Sequence, residues 1–156
     1  MTDAMKVSKL AGGAALASLL LALPALAQEA APAAEAVAEV VAGFVYVNAL
    51  VPGAPAIFGT WTLMSDLRSG AMSGGSGEQA LLTAACGQMA HFYDLPGGSA
   101  AGMADAKLPD VQAGYEKGIS NVMAGLSGLN LVYESAGMHG SLLGFCLESL
   151  VIDNDL

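Results

Sequence analysis

Residues 109–134 read PDVQAGYEKGISNVMAGLSGLNLVYE, and the reading of this stretch decides the fold class. Val111, Tyr115, Ile119, Val122, Leu126, Leu129 and Tyr133 recur at steps of three and four, which places them on one face of a helix. Pro109 can open that helix, because the first turn has no use for its missing amide proton. The spacing predicts one long helix from Pro109 to about Glu134. Gly114, Gly118, Gly125 and Gly128 fall on a neighbouring face. Each interior glycine costs roughly 1 kcal/mol against alanine, so packing has to compensate. Without a Cβ these positions let another backbone come close, and the four glycines are read as a helix-packing surface. Similar spacing promotes helix association in lipid, but Glu116, Lys117, Ser120 and Asn121 in the same segment favour water.

On the N-terminal side, Ser76-Gly77-Glu78-Gln79 has the form of a capping box. It opens a helix on which Leu82, Ala85, Met89 and Tyr93 form a stripe, with Leu81, Ala84 and Phe92 beside it. Asp94-Leu95-Pro96-Gly97-Gly98 stops that helix. Farther back, Val37 to Val51 is Val-rich. Val37, Val41, Phe44 and Asn48 suit a helix face, although Phe44 to Val47 would also suit a buried strand. Pro52-Gly53 and Pro55 end it. Ile57, Trp61 and Met64 suggest a short helix closing near Arg68, with Trp61 as a core anchor. Residues 69–77 read as a flexible loop, since no Lys-Ser/Thr follows its glycines to make a phosphate loop. On the C-terminal side, Gly137 and Gly140 make a break. Ser141 starts a last apolar segment with Phe145, Cys146, Leu147 and Leu150, and residues 153–156 read as a frayed acidic end. The expectation is an all-α fold, a small bundle of four or five helices forming one domain over 37–152, with no internal repeat.

The first 27 residues read as a secretory signal peptide. Lys6 and Lys9 precede an uncharged run from Leu10 to Leu23, Pro24 breaks it, and Ala25-Leu26-Ala27 offers a cleavage site. The run is shorter than the roughly 18–20 residues that span a bilayer. The mature chain would begin at Gln28, with residues 28–36 as a mobile tail, and would work in the periplasm or outside the cell. In an oxidising compartment Cys86 and Cys146, the only two cysteines, are expected to form a disulfide. The net charge of −9 leaves nucleic acid a poor partner, since it needs clustered Lys and Arg. Residues 40–65 carry only apolar and neutral side chains, which raises the alternative of a membrane-associated accessory subunit. Pro52, Gly53, Pro55 and Gly59 would leave backbone groups unsatisfied in lipid.

No catalytic group assembles from the sequence. Only His91 and His139 could serve as an imidazole base. Ser99 in Gly97-Gly98-Ser99-Ala100-Ala101 echoes a nucleophile elbow, but no strand is expected before it. Met89 with His91 and Met138 with His139 pair soft thioether and imidazole ligands, a less favoured copper-binding alternative. Core or surface roles are the better reading of these residues. No zinc or haem spacing occurs. The residues therefore imply no catalytic residue, no metal site and no cofactor.

Leu81-Leu82 followed by Cys86, Gly114-Tyr115-x-x-Gly118 and Phe145-Cys146-Leu147 together resemble the motif order of the Tai family, over about the last 75 residues. Members of that family are small exported helical proteins that protect bacteria against amidase toxins of type VI secretion. The family's cysteine before Gly-Tyr is replaced here by Val111-Gln112-Ala113, and its proline after Cys-Leu by Glu148. The resemblance implies an immunity-type inhibitor that binds an envelope protein of unidentified kind and performs no catalysis. Its oligomeric state is left open.

Overall fold

Gly97-Gly98-Ser99-Ala100, read above as the end of a helix and the loop after it, is the central strand of the molecule. In the computed structural model, which describes residues 34–156, these four residues form β4 and are all buried. Three of the four are glycine or alanine, so the strand is narrow enough for helices to press onto it. Phe58–Thr60 (β1) and Leu131–Tyr133 (β5) flank it in the order β1-β4-β5, and both pairings are parallel. Parallel neighbours need crossovers. Gly77–Phe92 (α2) makes the first and Val111–Leu126 (α3) the second. Two small hairpins are added: Met64–Ser65 (β2) with Met72–Ser73 (β3), and Met138–His139 (β6) with Gly144–Phe145 (β7). The helix through residues 34–50 (α1) precedes β1, and Leu147–Asp153 (α4) follows β7.

The fold is therefore mixed α/β, and the all-α expectation is corrected. Strands of two to four residues are too short to show an alternation. β4 also lacks the β-branched and aromatic residues that mark strands. The long helix read over 109–134 ends at Leu126. Gly128, at φ +77°, turns the chain so that Leu131–Tyr133 can join the sheet. The short helix expected over Ile57 to Arg68 is instead β1, β2 and a turn. Residues 69–77, read as a loop, contain β3.

Other expectations hold. The helix read from Val37 to Val51 is helical to residue 50. Its Val37, Val40, Val41 and Phe44 pack with Phe58, Ala90 and Met89, and Phe44 stacks on Phe58 at 6.1 Å. The capped helix begins where Ser76 predicts. Ser76 Oγ accepts from the Gln79 amide at 3.2 Å, but Gln79 does not reach back: its buried side-chain amide has no hydrogen-bond partner among the described residues. α2 and the sheet meet through small and polar groups. Thr83 Oγ1 donates to the Ala100 carbonyl at 3.4 Å, and within the sheet Thr60 Oγ1 of β1 donates to Ser99 Oγ of β4 at 3.1 Å. Any Cβ at Gly87 would lie 2.8 Å from Ser127 Oγ, so α2 and α3 touch through this glycine.

α3 reverses the expected polarity. Its buried residues are Ala113, Glu116, Lys117, Ser120 and Ala124, while Val111, Tyr115, Ile119, Val122 and Leu126 are exposed. Gly114, Gly118 and Gly125 have open space where a Cβ would be, and Gly128 lies against His91. The disulfide is also corrected: both cysteines are free. Cys86 is buried on α2 beside Thr60 of β1, while Cys146 stands at the N-cap position of α4, beyond the second hairpin, without a capping side-chain bond. The signal peptide at 1–27 and most of the 28–36 tail lie outside the described residues. No helix among the described residues is long and apolar enough to cross a membrane.

Candidate functional site

In a sheet of parallel strands with crossover helices, the loops after the carboxyl ends are where backbone amides and side chains converge, and ligands bind there. Here those loops are residues 61–76, 101–110 and 134–146. One carboxylate ties all three. Asp105, in the loop after β4, accepts from the hydroxyls of Ser73 and Ser141 and from the amides of Gly74 (2.7 Å) and Gly75 (3.1 Å). Burial opposes its ionisation, but hydrogen bonds from Ser141, Ser73, Gly74 and Gly75 outweigh that and hold the carboxyl below its usual range.

The buried polar face of α3 explains itself at this point. Glu116, only 6 % exposed, accepts through Oε2 from the amides of Asp105 (2.8 Å) and Ala106 (3.2 Å), and through Oε1 from Gln112 (2.8 Å). Ser120 Oγ accepts from Gly102 at 2.9 Å. Lys117 pairs with Asp153 of α4, and Asp153 also accepts from the Gly137 amide at 2.7 Å. α3 thus holds the loops instead of filling an apolar core. Two glycines make this packing possible. A Cβ at Gly75 would stand 2.8 Å from Glu116 Oε2, and one at Gly102 would stand 2.7 Å from Ser135 Cα. Strained backbone lies in the same region: Glu134, Ser141 and Leu142 have φ of 69°, 53° and 75° without being glycine. Such conformations gather at functional sites.

The two faces of the sheet differ. Phe58, Thr60 and Ser99 face the helices. On the other face Tyr133 lies across Gly59 and Gly98, where a Cβ would stand 3.1 and 2.9 Å from its hydroxyl. Trp61, just past the end of β1, packs on Tyr133 with ring centres 6.0 Å apart. Trp61 is 51 % exposed, so the expected core anchor is instead an open aromatic face. Burial pushes the Tyr133 phenol up.

The candidate groups from sequence fall elsewhere. His139 is buried, with Nδ1 at 3.2 Å from the Ala106 carbonyl and Nε2 against Ser149 Oγ. His91 is exposed at the opposite end of α2, and its Nε2 is 3.2 Å from the Ser127 carbonyl. Each ring is thus committed to a different partner. Ser99 is buried against Thr60, within a strand and facing the helices, so it presents no nucleophile. A cleft of about 340 Å³ lies between α3 and α4, lined by Pro109, Asp110, Lys117, Ser149 and Asp153 among others. Its lysine and Asp153 already neutralise one another. Sequence reasoning missed Asp105 and Glu116. Asp105 has no partner nearby in the chain, and Glu116 was counted as a solvent-facing charge.

A sequence model of the trimethylamine methyltransferase (MTTB) family matches residues 16–156. The chain belongs to that family. Trimethylamine methyltransferase MttB of Methanosarcina barkeri is 44% identical over 119 residues, covering 76% of this chain and 24% of its own. Glycine betaine methyltransferase of Desulfitobacterium hafniense is 39% identical over 119 residues, covering 76% of this chain and 25% of its own. A trimethylamine methyltransferase MttB of Desulfitobacterium hafniense is 31% identical over 118 residues. The chain spans about a quarter of the length of these relatives.

Membership of the MTTB family overturns the Tai resemblance, whose short motifs fall on unrelated structure. Leu81 and Cys86 belong to a crossover helix, Gly114 and Gly118 to the outer side of α3, and Phe145 to a hairpin. The immunity-inhibitor, membrane-subunit and copper-binding readings fall with it, as does the expectation of a non-enzyme, because the family is one of methyltransferases. The match begins at residue 16, inside the stretch read as a leader.

Proposed function

We propose that this chain supplies part of the active site of a methyltransferase that takes a methyl group from an N-methylated amine. The observation that carries the reading is the convergence on Asp105 of three loops at the carboxyl ends of parallel strands. Family membership supports reading that convergence as part of a methyl-transfer site. The relatives named for trimethylamine and for glycine betaine share a substrate feature, a nitrogen bearing several methyl groups.

In the proposed reaction a soft two-electron nucleophile attacks the methyl carbon in line with the C–N bond. The nucleophile's pair forms the new bond and the C–N pair returns to nitrogen. Trimethylammonium leaves as dimethylamine, and a betaine leaves as the tertiary amine. The chain's part is to hold the loops rigid, so that the substrate is presented in one orientation. Asp105 and Glu116 act here as positioning residues.

Proton NMR of extracts from cells overproducing the chain, supplied with trimethylamine or glycine betaine, tests this. Dimethylamine or dimethylglycine should accumulate above the empty-vector level, and Asp105→Ala should abolish the difference. Consumption of neither substrate above that level would overturn the proposal.

A further inference from the structure

We infer that Trp61 and Tyr133 form a binding face for the methylated ammonium group itself. The inference rests on the proposed reaction for its ligand and on geometry for its place. A quaternary or trimethylated ammonium is a diffuse cation with an apolar skin, and aromatic ring faces recognise it through their quadrupole. Two rings at 6.0 Å meet on the face of the sheet opposite Phe58, Thr60 and Ser99, at the same end as the Asp105 loops. Tyr133 is seated across two glycines, Gly59 and Gly98, where a Cβ would come within 3.1 and 2.9 Å of its hydroxyl. Trp61 keeps half of its surface open. The charge balance suits a cation: the chain carries −9 overall, Glu134 directly follows Tyr133, and buried Lys117 is paired with Asp153. Tyr133 is neutral at pH 7, as an ordinary phenol is, and burial raises it further.

Trp61 is the only tryptophan in the chain, so its emission reports on this face alone. Titration with tetramethylammonium should change the emission saturably, whereas the neutral isostere 3,3-dimethylbutanol should change it far less. Tyr133→Leu should weaken binding about 5- to 30-fold, which at 1.4 kcal/mol per tenfold matches the worth of a partly desolvated cation–π contact. Tyr133→Phe, which keeps the ring, should stay within about threefold of the parent. Calorimetric titration reads Trp61→Leu, which loses the reporter and should weaken binding by a similar factor. Trp61→Phe should retain most of the affinity. An equal response to the neutral alcohol, or unchanged affinity in both leucine variants, would overturn the inference. Demethylation without a tetramethylammonium response would overturn this site and leave the reaction standing. A response without demethylation would do the reverse.

Discussion

Asp105 receives four hydrogen bonds from two loops that lie about thirty residues before it and thirty-six after it. A carboxylate with so many donors is stabilised in its charged form, so its folded pKa lies below the unfolded value near 3.9. Its contribution is therefore fully present above pH ~4 and is lost as pH falls through the lower, folded value. Asp105→Asn keeps the size but gives up the charge, and it places an amide donor among donors. The expected result at pH 7 is a loss of roughly 2–3 kcal/mol in urea unfolding, the worth of one or two charged hydrogen bonds. The difference between parent and variant should shrink below pH 4. An undiminished difference at pH 3 would show that packing, not ionisation, makes the contribution. Gln79 is the opposite case, a buried amide that is paired with nothing among the described residues. We have no physical account of it.

The helices show how far the sequence was legible at the scale of elements. The start of α2 is legible at Ser76 because an N-cap is a local signal, contained within four residues. α3 was found but turned inside out. Its apolar period is real, yet the buried side is the one carrying Glu116, Lys117 and Ser120, since each has a distant partner that no local pattern displays. β4 was invisible because its four small residues carry no strand propensity. The candidate site was illegible for the same reason: it is defined by contacts between loops far apart in the chain. Lys117 and Asp153, whose side chains are both 2 % exposed, give a direct test of the reversal. Removing either partner alone, as Lys117→Met or Asp153→Asn, should cost about 3–5 kcal/mol, because a charge is left buried without its partner. The double variant should cost clearly less than the sum of the two. Additive losses in thermal unfolding would place both groups in water.

Among the described residues the usual distribution of sizes is inverted. The buried apolar residues are mostly alanines, with Phe58 and Met103 the largest fully buried ones, while Leu67, Val111, Leu126 and Leu143 are among the most exposed. Contiguous exposed apolar surface marks places of contact, and Val111, Tyr115, Ile119, Val122 and Leu126 are all exposed along the outer side of α3. Among the described residues nothing pairs with the outer edges of β1 and β5. The interior built from alanine and glycine has a calorimetric consequence. Heat-capacity change on unfolding follows newly exposed apolar area, and polar area counts against it. The described residues 34–156 already show their large apolar side chains to water and bury Thr, Ser, Glu and Lys, so they have little of that area left to release. Scanning calorimetry should give a value per residue well below the ~12–15 cal/mol/K of ordinary domains. The stability curve would then be broad and shallow, changing little between a cold room and a warm one. A value inside the ordinary range would mean that the apolar side of α3 is covered in solution.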